Sequence, residues 1–108
     1  MKIYIAGKIT GDPDYYAKFW QVESELEKDG HIVLNPAELP EGLSRAEYMQ
    51  ICFQMLFAAD KVVFLPDFTD SKGAMLEYSL CRYIGKEMEF PIETAAKTGE
   101  TETWVKEN

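Results

Sequence analysis

Apolar residues come in short runs and helical stripes along this chain, and the two alternate. Ile3, Tyr4, Ile5 and Ala6 follow one another almost without polar interruption, as expected of a strand covered on both faces. Asp12-Pro13-Asp14 then opens a helix in which Tyr15 or Tyr16, Phe19, Val22 and Leu26 recur at helical spacing, with Glu23, Glu25, Glu27 and Lys28 facing water; Asp29-Gly30 stops it. His31 to Leu34 reads as a second strand, ended by Asn35-Pro36. After a loop over 36–42, Ser44-Arg45-Ala46-Glu47 has capping-box spacing and starts a helix to about Ala58. That helix is apolar nearly all round, through Tyr48, Met49, Ile51, Cys52, Phe53, Met55, Leu56 and Phe57.

The next stretch organises the rest. Lys61 to Pro66 predicts a third strand, Asp67 to Lys72 a polar loop, and Gly73 to Ile84 a helix stopped by Gly85. The stripe of Leu76, Leu80, Tyr83 and Ile84 is expected to pack on the sheet, which turns Glu77 toward a cleft or solvent. Glu87 to Phe90 predicts a fourth strand ended by Pro91. Residues 94–108 read as a polar tail holding a short helix, with Trp104 docking it, or fraying. Without repeats or linkers, the alternation predicts one α/β domain over 1–108 with a parallel sheet of four or five strands covered on both faces, order 2-1-3-4.

Charge narrows the partners. Nineteen acidic residues against eleven basic give a net charge of −8, which disfavours nonspecific nucleic-acid binding and an anionic membrane surface. No apolar run is long enough for a signal peptide or a membrane span, so a soluble, cytoplasmic protein is expected. Cys52 and Cys81 sit within apolar helical patterns and read as core residues. The single histidine, His31, reads as structural or exposed, and no cofactor or metal is implied. The apolar helix over 44–57 cannot bury every face on its own sheet. A homodimer or higher homo-oligomer through that helix is therefore expected, the alternative being cover by the C-terminal tail.

Candidate chemistry gathers where strands hand over to helices, the usual ligand position in such folds. The Gly7-Lys8-Ile9-Thr10-Gly11 loop can present backbone amides to a phosphate or ribose, or be only a turn. Ser71 as N-cap takes one helix amide and leaves others for an anion. Gly73 and Glu77 share a helix face, with room for a small ring over Gly73. A carboxylate such as Glu77 can attack an acetal-like carbon or stabilise an oxocarbenium ion, and the helix dipole is expected to keep it ionised; Asp67 is the natural second acid. Each also has a bland reading, Glu77 as a dipole-favoured helix residue and Asp67 as a solvated loop acid.

MKIYIAGKITG, Asn35-Pro36, Ala59-Asp60 and LPDFTDSKGAMLE together resemble the nucleoside 2-deoxyribosyltransferase superfamily. The similarity is greatest to its short, DUF4406-like branch of bacteria and phages, whose pattern reads YIAGPITG and later LPGW-x-x-S-x-GA-x-x-E. The resemblance spans about residues 2–90. It implies a flavodoxin-like or Rossmann-like three-layer sandwich, an oligomer, and hydrolysis or transfer at the N-glycosidic bond of a deoxynucleoside 5′-monophosphate or deoxynucleoside. The family's catalytic glutamate falls on Glu77, its second acid on Asp67, and its first-strand tyrosine or backbone on Tyr4 to Gly7. Gly7, Lys8, Ile9, Gly11, Ser71, Gly73 and Ala74 become the substrate and phosphate contacts. Serine six positions before the glutamate, here Ser71, is the nucleotide-type choice. Lys8 in place of proline, Asp67-Phe68 in place of Gly-Trp, and the missing C-terminal segment depart from the pattern. Hydrolysis, or binding by a catalytically inactive sensing module, needs less of that machinery.

Overall fold

The computed structural model describes residues 1–90 together with 106–107. Its strands are β1 (Lys2–Ala6), β2 (Ile32–Leu34), β3 (Lys61–Phe64), β4 (Glu87–Glu89) and β5 (Lys106–Glu107); its helices are α1 (Tyr15–Lys28), α2 (Arg45–Ala58) and α3 (Lys72–Ile84). Four strands run parallel in the order β2-β1-β3-β4, and β5 adds antiparallel to β4. The tail helix and the docking of Trp104 fall on residues outside those described.

Alternation along β1 divides the core. Ile5 points to one side, where Leu65, Ala37 and Phe19 of α1 bury it with help from Tyr15, Val22 and Leu26. Tyr4 and Ala6 point to the other, against Cys52 and Leu56 of α2 and Ala74 and Cys81 of α3. One helix thus covers one face and two cover the other, which is the expected three-layer sandwich. Local signals set the helix ends: Ser44 makes a full capping box with Glu47, Ser71 caps α3, and Gly85 closes it at φ 74°.

Two face assignments differ from expectation. On α3 the inward stripe is Ala74, Glu77 and Cys81, whereas Leu76 and Tyr83 are 55% and 90% exposed and Ile84 also faces out; only Leu80 of the expected stripe packs inward. The cause is Tyr78. Its ring joins Phe64, Phe68 and Phe90 in a cluster with centroids 5.7–6.0 Å from it, and that fixes the rotation of the helix. On α1, Glu23 is half-buried and accepts from Asn35 Nδ2 at 3.1 Å instead of facing water. On α2, Cys52 and Leu56 are buried while Ile51 and Phe57 lie exposed on the outer side.

Candidate active site

Tyr4 lies on the interior strand β1, hydrogen-bonded on both edges, so its phenol projects from a fixed point into the layer beneath α2 and α3. There its hydroxyl donates to Glu77 Oε2 at 2.5 Å. Glu77 is 5% exposed, and that burial raises its carboxyl from the ordinary 4.5 to about 7, against the opposing pull of the Tyr4 hydrogen bond. The expectation of a dipole-ionised carboxylate is thereby corrected. Glu77 stands beyond the first turn of α3, where the dipole has faded, and desolvation dominates. Tyr4 is held well above its usual range by burial and by the charge of Glu77, so it remains a donor.

Both cysteines border this pair. Burial raises Cys52, which shares the Tyr4 cluster, and it pushes Cys81 up to about 12 with the negative charge of Glu77 adding to the effect. They stay as neutral thiols, in keeping with core residues.

The start of α3 is built on Phe68, which is 2% exposed and anchors a single 3-10 turn over Phe68–Asp70. Ser71 follows, and its Oγ accepts from the Ala74 amide at 3.1 Å. Ala74, assigned above to the ligand, therefore has its N–H engaged and its side chain in the core. The Lys72 and Gly73 amides precede the first intrahelical bond. A shallow groove lined by Thr69, Asp70, Ser71, Lys72, Met75, Leu76 and Ser79 runs along the outer side of this turn, on the far side of α3 from Glu77.

The space over Gly73 is taken. A Cβ built there would lie 3.5 Å from the sulfur of Met49, reaching across from α2. Gly7 answers to packing: a Cβ on it would fall 2.7 Å from Leu65 Cδ1, where the ends of β1 and β3 come together. Gly11, at φ 82°, makes the turn that brings the chain to α1. Ile9 packs its side chain against the α1-side core.

Asp67 belongs to a second constellation. Its Oδ1 accepts from the Lys8 amide at 3.1 Å, and its Oδ2 pairs with Lys18 Nζ, which also pairs with Asp12 and donates to the Lys8 carbonyl at 3.1 Å. Hydrogen bonding to Lys18 and to the Asp14 amide lowers Asp12, and the two carboxylates raise Lys18 despite partial desolvation. The structure thus brings Tyr4, Glu77 and Cys52 together, and separately Lys8, Lys18, Asp12 and Asp67. The hydrogen bonds of Asp67 go to Lys8 and Lys18 and that of Glu77 to Tyr4. Lys18 escaped the sequence reading; its signal was a cation at 18 between Tyr15 and Val22, inside the apolar stripe of α1. His31 lies far along the chain from both groups in β1's register, beside the Met1 amino group at 3.3 Å.

Among the described residues no group of three or more His, Cys, Asp or Glu side chains could hold a metal ion, and no helix is long and apolar enough to cross a membrane. The parallel 2-1-3-4 sheet with helices on both faces is a flavodoxin-like α/β fold. The chain belongs to the family described as a domain of unknown function, DUF4406, which matches residues 1–90. Among solved structures it is similar to the 2-deoxyribosyltransferase of Bacillus psychrosaccharolyticus, with 20% identity, TM-score 0.67, and 83% of this chain and 71% of that one covered. A 2-deoxyribosyltransferase from Leishmania mexicana gives 19% identity and TM-score 0.67 over 99% and 78%. A conserved protein of Enterococcus faecalis V583 gives 21% and 0.62 over 83% and 62%. At these identities the likeness is one of fold. No curated protein matches the chain significantly.

Proposed function

We propose that this protein cleaves the N-glycosidic bond of a deoxynucleoside 5′-monophosphate or deoxynucleoside, by hydrolysis or by transfer to another base, with Glu77 as nucleophile. The observation that carries this reading is the buried Tyr4–Glu77 hydrogen bond at 2.5 Å. A carboxylate in the core is destabilising unless something requires it, and here Oε2 is oriented by a phenol. The names of two fold neighbours, both 2-deoxyribosyltransferases, point to the same chemistry. Ionised Glu77 attacks C1′ as the bond to the base breaks, and the base leaves with the bonding electron pair and takes up a proton. Water, or an acceptor base in transfer, then opens the glycosyl ester and restores the carboxylate. A group titrating at about 7 supplies the anion at neutral pH without the heavy cost of a fully ionised core.

The Ser71 hydroxyl and the Lys72 and Gly73 amides are assigned to a 5′-phosphate, with the Lys8 ammonium at the rim. Asp67 is assigned to shaping the Gly7–Gly11 loop through Lys8 and Lys18, since both of its oxygens are engaged there. The test is chromatography of the deoxynucleosides and their monophosphates with the protein, with and without an acceptor base. Free base should appear, and Glu77→Gln should reduce its rate on the order of a thousandfold with little change in ligand affinity. Burial of Glu77 favours one other reading, a binding or sensing module that holds the nucleotide intact. Ligand affinity without any base release would select it.

A further inference from the structure

Gly73 and Glu77 lie one turn apart on the same side of α3, and the opposing side of α2 presents Met49 and, one turn on, Cys52. Met49 lies over Gly73, with its sulfur 3.5 Å from where a Cβ on that glycine would be. Cys52 lies in the same core cluster as Tyr4, whose hydroxyl meets Glu77, and it feels the charge of Glu77. The Met49–Cys52 line of α2 therefore roofs the Gly73–Glu77 line of α3, and the carboxylate beneath is 5% exposed. Of the roofing side chains, Cys52 is buried and small, whereas Met49 is half-buried, unbranched and near the free start of α3.

We propose that Met49 is the access and specificity residue of this site: its thioether stands in the place a ligand ring would take over Gly73, and it must turn out for that ring to reach Glu77. The inference rests on the function proposed above. Methionine suits the role because its three side-chain torsions let it leave without moving the helix, and its thioether closes over an apolar lining without leaving a polar group unpaired. The glycine opposite has a reason as well. Once Met49 turns out, the bare backbone of Gly73 offers a flat floor beside the carboxylate, where a side chain would narrow the opening. The groups facing Glu77 are Tyr4 from β1, Cys52 from α2 and Cys81 from α3 itself, so opening the roof changes its hydration and not its charged surroundings.

The test reads access without relying on turnover. Full-length protein is treated with methyl methanethiosulfonate, and modification of Cys52 is followed by mass spectrometry, with Cys81 as internal control. Met49→Ala should raise the Cys52 rate about tenfold or more while leaving Cys81 unchanged, because small-reagent access to a buried thiol follows its exposure. In the same variant the Glu77 carboxyl, followed by carbon NMR, should titrate lower as water reaches it. Cys52 modified at the wild-type rate, or both thiols accelerated alike, overturns the proposal. If Met49→Ala does not fold, Met49→Val takes its place with a smaller rise expected, and an unchanged rate again overturns it. A wild type that releases no base while Met49→Ala opens Cys52 removes the glycosidase reading and keeps the gate. Base release with KM and Cys52 reactivity both indifferent to Met49→Ala does the reverse.

Discussion

Tyr4 and Glu77 are 73 positions apart in sequence and meet through one hydrogen bond of 2.5 Å inside the layer between sheet and helices. The phenol is the one influence that lowers the Glu77 titration against the burial that raises it. Tyr4→Phe removes that influence, so Glu77 should titrate above 7 and the rising limb of the pH–rate profile for base release should move to higher pH. The lost donor should also destabilise the fold by about 1–3 kcal/mol. A limb that stays in place, with base release intact, would show that Tyr4 does not act through Glu77.

Glu77 also makes stability depend on pH, and the sign is fixed by its raised value. The folded protein holds this proton up to about 7 while the unfolded chain gives it up near 4.5, so the associated stabilisation is complete below 4.5 and is lost as pH rises through 7. Its size is about 3 kcal/mol. Glu77→Gln cannot ionise, so denaturant titration should find it more stable than wild type at pH 8, with the advantage largely gone at pH 5. Equal stability of the two proteins at both pH values would show that the carboxylate is not desolvated as the structure has it.

The two glycines nearest the candidate site should respond oppositely to alanine. At Gly7 the new methyl would meet the buried Leu65 at 2.7 Å, and overpacking there should destabilise by about 1–3 kcal/mol. At Gly73 the nearest atom is the flexible Met49 sulfur at 3.5 Å, and the gain in helix propensity, up to about 1 kcal/mol, should leave stability unchanged or raised. Thermal melts of the two variants check both directions.

The outer side of α2 carries the remaining prediction, a homo-oligomer formed through this helix. Met55 packs inward against the core, so a charge there would damage the monomer, whereas Phe57 is 49% exposed. Phe57→Glu should shift sedimentation of a micromolar sample toward monomer, since a buried unpaired charge is costly in the assembly and an exposed one is not in the monomer. A wild type that sediments as monomer would remove the proposal.

Much of the fold was legible because its signals are local. The unbroken run Ile3 to Ala6 marks an interior strand, and Ser44, Ser71 and Gly85 mark helix ends within a few residues of their partners. The rotation of α3 was not legible. Leu76, Leu80, Tyr83 and Ile84 form as good a helical stripe as Ala74, Glu77, Tyr78 and Cys81, and the choice was made by aromatic rings on β3, its following turn and the end of β4. For the same reason Glu77 could be singled out from its position but not its environment, since both the phenol and the roof above it come from distant segments. Asp67 was visible as an acid at a strand end. Its partner Lys18 lies in another helix, and only their meeting shows that the acid serves the loop.

The position of β1 between β2 and β3 has a consequence for how the chain acquires its structure. Lys2–Ala6 are made before the other strands, yet one edge of that strand finds its partner only when residues 61–64 are available. Until then an apolar strand with an open side must be held by β2 and α1 alone, a state in which stray pairing with other chains is the main hazard. Pairing over such separations also slows the search for the native arrangement. Glu77 can come under Tyr4 only after that edge has closed and α3 has been laid down, so the Tyr4–Glu77 hydrogen bond is assembled late, on a sheet whose centre is already complete.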